Sequence, residues 1–146
     1  MKNPNTKNII IGHYGLDRRI TKEECFSVLS AEEKESSIFI DFEVGNTRLS
    51  ELYELSFENI ALLQQRKFNQ IVKPLMDANP DASIFYFGYV PIPISFHLGT
   101  LLGNTRNYII YQLHHQRNDW YRETKKPSKQ YQFSIQPISL PNEKQK

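Results

Sequence analysis

Seven residues, SIFYFGY at 83–89, are apolar almost throughout. Successive side chains of a strand point to opposite faces, so a strand this apolar has both faces covered. It belongs in the middle of a sheet with helices above and below. NIIIG (8–12) has the same character, an isoleucine run that stops at a glycine.

The remaining segments alternate around these two. TKEE at 21–24 matches a capping box, with Thr21 and Glu24 placed to satisfy free amides at a helix start. A helix over roughly 22–34 follows from it. SSIFIDFEVG (36–45) reads as a second strand, with Asp41 and Glu43 on one face and Ile40 and Phe42 on the other. NTRLSELYELS reads as a loop with a helical turn. Phe57, Ile60, Ala61, Phe68, Ile71, Val72 and Leu75 recur at helical spacing, and Pro74 is expected to end or kink that helix. DANPDA (77–82) is a turn. Ile94, Leu98, Leu101 and Leu102 mark a short helix that stops at Gly103-Asn104. NYIIYQL (107–113) is a fourth strand, the residues from His114 to Lys129 form a polar loop, and YQFSIQPI (131–138), with Pro137, suits an edge strand.

The order β, α, β, α, β, α, β, β predicts an α/β, Rossmann-like three-layer sandwich: a mostly parallel sheet with helices on both faces and an antiparallel edge. The 146 residues suit one domain, with a loose tail from about 139. Net charge is +2, too weak a balance for a dedicated duplex-DNA binder. The one cysteine, Cys25, sits among acids and reads as a half-buried helix residue. No secretory h-region is visible, and no apolar run approaches the roughly 20 residues of a membrane span. A cytoplasmic protein in a reducing compartment, with no membrane partner, is expected. The stretch contains no GxxxxGK[ST], GxGxxG, GxSxG or HExxH, which argues against the common nucleotide-hydrolysing and hydride-transferring machinery.

Candidate site residues follow from the parallel arrangement, which brings strand C-terminal ends to one rim. His13 and Tyr14, Asp41 and Glu43, Tyr89 and Ser95, and Gln112 and His114 are delivered there. Pro91 and Pro93 stiffen the strand-to-helix turn, and helix amides with Ser95 and His97 suit an anion or a base edge. The same residues also suit a plain tight crossover with Tyr89 packed on a neighbour. Trp120, beside Tyr121, Arg117, Arg122, Lys125, Lys126 and Lys129, suits stacking on a base or plugging the sheet edge. His115 reads as a surface residue. No metal ligand set and no nucleophile with a partnered base emerges.

"IFYFGYVPIPISFHLGTLLGN", then "YIIYQLHH" and "WY", resembles the C-terminal half of SAVED domains. Ser95, Leu98, Gly99, Leu102 and Gly103 match that family's helix, and Tyr111 sits where its strand tyrosine is expected. SAVED domains are sensors of anti-phage systems of the CBASS and type III CRISPR kinds, related to CARF domains. The resemblance implies a non-catalytic sensor with no cofactor. Its ligand would be a cyclic di-, tri- or tetranucleotide second messenger, and it would control an effector in the same assembly. SAVED domains hold two CARF-like halves and this chain has room for one, so a homo-oligomer or a second effector or sensor chain is implied. Two other functions fit the same residues: a ring nuclease using His13, His97 or His114, and an assembly subunit without ligand.

Overall fold

A computed structural model describes residues 6–45 and 54–122, with the side chains of 54–56 left aside. Five strands form one sheet in the order β2-β1-β3-β4-β5, where β1 is Asn8–Tyr14, β2 Ser37–Glu43, β3 Ser83–Tyr89, β4 Tyr108–His114 and β5 Asp119–Arg122. The first four strands are parallel and β5 is antiparallel to β4. The α/β reading and its mostly parallel sheet with an antiparallel edge are therefore correct.

Helices α1 (Lys22–Phe26) and α2 (Ala31–Glu35) precede β2. Helix α3 (Glu54–Lys67) runs through a π-turn (Phe68–Val72) into α4 (Lys73–Ala78), and α5 (Ile92–Leu102) joins β3 to β4. One core lies under α3, α4 and α5 and contains Ile9, Ile11, Ile40, Phe42, Ile84, Ile94 and Leu98. The other lies on the α1 face and contains Ile10, Ile20, Cys25, Phe85, Phe87, Tyr111 and Trp120. Alternate residues of β1 and β3 serve opposite cores, as their unbroken apolar runs require.

Several expectations need correction. The helix expected over 22–34 is two helices. Thr21–Glu24 forms the expected capping box, but Ser30–Glu33 forms a second one, and a new start forces a break before it. Pro74 neither ends nor breaks the long helix. Lys73 N–H donates five residues back to the Phe68 carbonyl, and the wider turn places Pro74 in the first turn of α4, where its missing amide costs little. His13 and Tyr14 belong to β1 rather than to a loop, with His13 opposite Phe42 and Gly88. DWYR, expected within a polar loop, is β5. The strand expected at 131–138 lies outside the described residues.

Phe87 is fully buried, stacks on Tyr111 at 4.2 Å and meets the edge of Trp120 at 5.3 Å. Phe87→Ala should lower the free energy of unfolding by about 3–5 kcal/mol, read as a fall in the urea midpoint with an unchanged m-value.

Candidate functional site at the C-terminal rim of the sheet

Because β2, β1, β3 and β4 run parallel, their last residues share one rim, with Tyr14 level with Glu43 and Tyr89. After β1 the chain passes to the α1 face, and after β3 it passes to the α5 face. The crevice between β1 and β3 is therefore the topological switch point, the position where open α/β sheets bind ligands.

The α5 side of this crevice rests on a buried chain of hydrogen bonds. His13 and Gln64 are both 0 % exposed. His13 Nε2 bonds Gln64 Oε1 at 2.6 Å and His13 Nδ1 bonds the Tyr86 hydroxyl at 2.7 Å. The Tyr86 hydroxyl meets Ser95 Oγ at 3.0 Å. Gln64 Nε2 donates to the Ile94 carbonyl at 3.1 Å and bonds His97 Nδ1 at 2.7 Å. Five side chains from β1, α3, β3 and α5 thus form one belt beneath the first half of α5. Burial, opposed by the Gln64 bond and aided by His97, takes His13 down to about 4, so the ring is neutral at pH 7. Burial pushes the Tyr86 phenol up to about 12. Between α5 and β4, Tyr86 and Ser95 also line a cavity of about 280 Å³ with Leu98, Leu102, Tyr108 and Ile110.

The α1 side is ionic. Arg18, in the loop after β1, lies 5.7 Å from the Tyr89 ring centre and 5.6 Å from that of Trp120. It pairs with Glu24 at 2.9 Å, and Trp120 Nε1 donates to the same carboxylate oxygen at 3.0 Å. Arg18 also donates to Asn118 Oδ1 at 3.3 Å. Burial pushes the Glu24 carboxyl up, but the bonds from Trp120, the Thr21 amide and Arg18 outweigh it and hold it below its ordinary value. Tyr14 donates to Asp41, and Arg19 lies 3.7 Å from that carboxylate with its side chain 71 % exposed. Burial first, and the Asp41 bond second, push the Tyr14 phenol up to about 12.

The structure brings His13, Tyr86, Ser95 and His97 together in the belt, and Tyr14 with Asp41 next to it. Tyr89 is 38 % exposed beside Arg18, and the edge of His115 approaches it at 6.4 Å. Pro91 is the N-cap of α5, and its carbonyl accepts from the amides of Ile94 and Ser95. Pro93 has no amide, so few free donors remain in that first turn. Gln112 and His114 lie apart, on β4: Gln112 accepts from Tyr121 at 3.3 Å, and His114 Nδ1 accepts from the Arg117 amide at 3.3 Å. Trp120 is 4 % exposed and faces the α1 core. Lys125, Lys126 and Lys129 lie outside the described residues.

Four contributors escaped the sequence reading: Gln64, Tyr86, Arg18 and its neighbour Arg19. Gln64 had a signal: it stands four residues from both Ile60 and Phe68, a polar residue inside the apolar stripe of α3. Tyr86 was hidden in an apolar strand. Arg18 had no local signal, since all its partners but Glu24 are far along the chain. Among the described residues no cluster of three or more His, Cys, Asp or Glu forms a metal centre, and no helix is long and apolar enough to cross a membrane.

Residues 64–145 match the model of a family described as "SAVED: SMODS-associated and fused to various effectors sensor domain". No curated protein matches the chain. The matched region begins at Gln64 and includes β3, α5, β4 and β5, and with them two of the four parallel strands whose ends form the rim.

The belt yields two expectations. His13 ordinarily titrates at 6.5 and in the fold at about 4, so between these values the unfolded chain binds the proton first. Stability is fully present above pH 6.5 and is lost as pH falls, by about 3 kcal/mol at pH 4. Urea unfolding of the parent and of His13→Phe across that range checks this, and the variant should lack that part of the slope. The second concerns Gly88, where a methyl group would overlap the hydroxyl and ring of Tyr86. Gly88→Ala should cost about 1–3 kcal/mol. It should also lower the Tyr86 phenol toward its ordinary range, read by ultraviolet titration against Tyr86→Phe.

Proposed function

The chain belongs to the SAVED family of sensor domains, and from that premise we propose that it binds a cyclic oligonucleotide at the C-terminal rim and transmits the binding to an effector. The observation that supports the site most is the meeting of Tyr89, an exposed aromatic ring at the end of β3, with Arg18 from the loop after β1 and the start of α5 at the β1–β3 switch point. Tyr89 offers a face on which a base stacks. Arg19, beside Asp41 of β2, offers an exposed guanidinium to a phosphodiester, and Arg18 lies over the Tyr89 ring. Helix α5 points its positive end at the same crevice, with its turn already braced by Pro91 and Pro93.

The reading is of a sensor without catalysis. His13, the histidine closest to the centre of the crevice, is sealed from solvent with both ring nitrogens bonded. It supports the site from below. In this proposal a second copy or a second sensor chain set against the rim encloses the ligand.

Calorimetry of the full chain with a panel of cyclic di-, tri- and tetranucleotides tests the proposal. One ring should bind, and Arg19→Ala should weaken it about tenfold, with a smaller salt dependence than the parent shows. Trp120 is the only tryptophan and touches Arg18, so its fluorescence should change on binding. Absence of heat with every ring, from a folded protein, overturns the proposal.

A further inference from the structure

The belt has a direction, and it ends at His97 on α5. The Ile94 carbonyl can only accept, so the Gln64 amide turns its NH2 toward it and toward His97 Nδ1. Gln64 Oε1 then faces His13 Nε2, which must carry the proton. With His13 neutral, its Nδ1 accepts from Tyr86, and the Tyr86 oxygen takes the Ser95 hydroxyl as donor. Every member has one role. Its last member is His97, half-buried on α5, whose Nδ1 is an acceptor and whose proton therefore sits on Nε2.

We propose that Gln64 is a positioning residue that fixes His97 as its Nε2–H tautomer, so that His97 presents a hydrogen-bond donor to an acceptor of the ligand. The class of group it takes is a phosphodiester oxygen or a base carbonyl; a ligand NH meets the wrong partner. This rests on the reading of the rim as the ligand site. It goes beyond that reading in assigning a role to a fully buried glutamine on α3 that touches no ligand. The opposite tautomer would aim a lone pair at the same ligand oxygen. Gln64 thereby contributes specificity through His97, while the anchor for Gln64 is His13 on β1.

The experiment has two arms. The chain contains four histidines, so long-range proton–nitrogen correlation spectra of the full chain at pH 7 resolve each ring, with His97 assigned by its loss in His97→Ala. The parent should show His97 with Nε2 protonated and Nδ1 bare. Gln64→Met should turn this into a mixture of tautomers while the circular dichroism stays native; if that variant does not fold, Gln64→Glu replaces it, keeping the acceptor and removing the donor. A parent His97 protonated on Nδ1, or a folded Gln64 variant with the parent's pattern, overturns the proposal. In the second arm the cyclic oligonucleotide that the parent binds should lose about tenfold in affinity to Gln64→Met and to His97→Ala, with no further loss in the double variant. Losses that add independently overturn the coupling. A parent that binds no ring overturns the rim reading and the ligand half of this assignment, while the spectra still decide what Gln64 does to His97.

Discussion

A fully buried histidine ring sits one residue from the end of β1, an inner strand of the sheet, and the rest of the rim is arranged around its two bonds. An imidazole buried without partners would be strongly unfavourable, because each bare nitrogen forfeits a hydrogen bond to water. His13 avoids this only if Gln64 and Tyr86 are both in reach. That condition fixes the rotation of α3, which must turn Gln64 inward, and the residue at position 88, which must leave room for the Tyr86 ring. It also fixes α5, because Gln64 and Tyr86 each go on to bond it, at Ile94 and His97 on one side and at Ser95 on the other. A small neutral network thus sets the relation of β1, β3, α3 and α5 more narrowly than apolar packing alone would.

The two sides of the crevice differ in kind. The belt under α5 is built on His13 and Gln64, both fully buried with their polar side-chain atoms bonded, so it is stiff. The cluster on the α1 side is charged and half-exposed: Arg18 leaves 22 % of its side chain to solvent and Glu24 leaves 25 %. Ionic contacts there are partly screened and individually weak. Arg18 gains more from its two aromatic neighbours and from sharing Glu24 with the Trp120 indole than from charge alone. One wall of the crevice is therefore rigid and the other exchangeable.

What was legible in the sequence follows from how local each cause is. The apolar runs of β1 and β3 betrayed central strands because burial on both faces leaves no polar positions. The parallel rim followed from alternation alone, and with it the gathering of His13, Tyr14, Asp41, Tyr89, Ser95 and His97 at one edge. The break between α1 and α2 was written in Ser30 and Glu33 but masked by helix-forming residues on both sides. DWYR looks polar because a four-residue edge strand buries only Trp120 deeply. Arg18 was illegible for a different reason: Tyr89, Asn118 and Trp120 meet it only after the sheet has brought distant segments together.

The contrast between the walls bears on how binding would be felt elsewhere in the molecule. On the proposal above, a ligand oxygen meeting His97 at the end of the belt would find its donor already aimed, and turning that ring would break its bond to Gln64. A base stacking on Tyr89 meets Arg18 on that ring, and a phosphate there competes with Glu24 for the guanidinium. Any shift of Arg18 acts at once on Trp120, through the ring contact and through the shared carboxylate, and Trp120 lies on β5 against Phe87 in the α1 core. In the sensing proposed for this chain, both walls contact the ligand and the response passes through the ionic one. The route outward runs through the only antiparallel strand among the described residues.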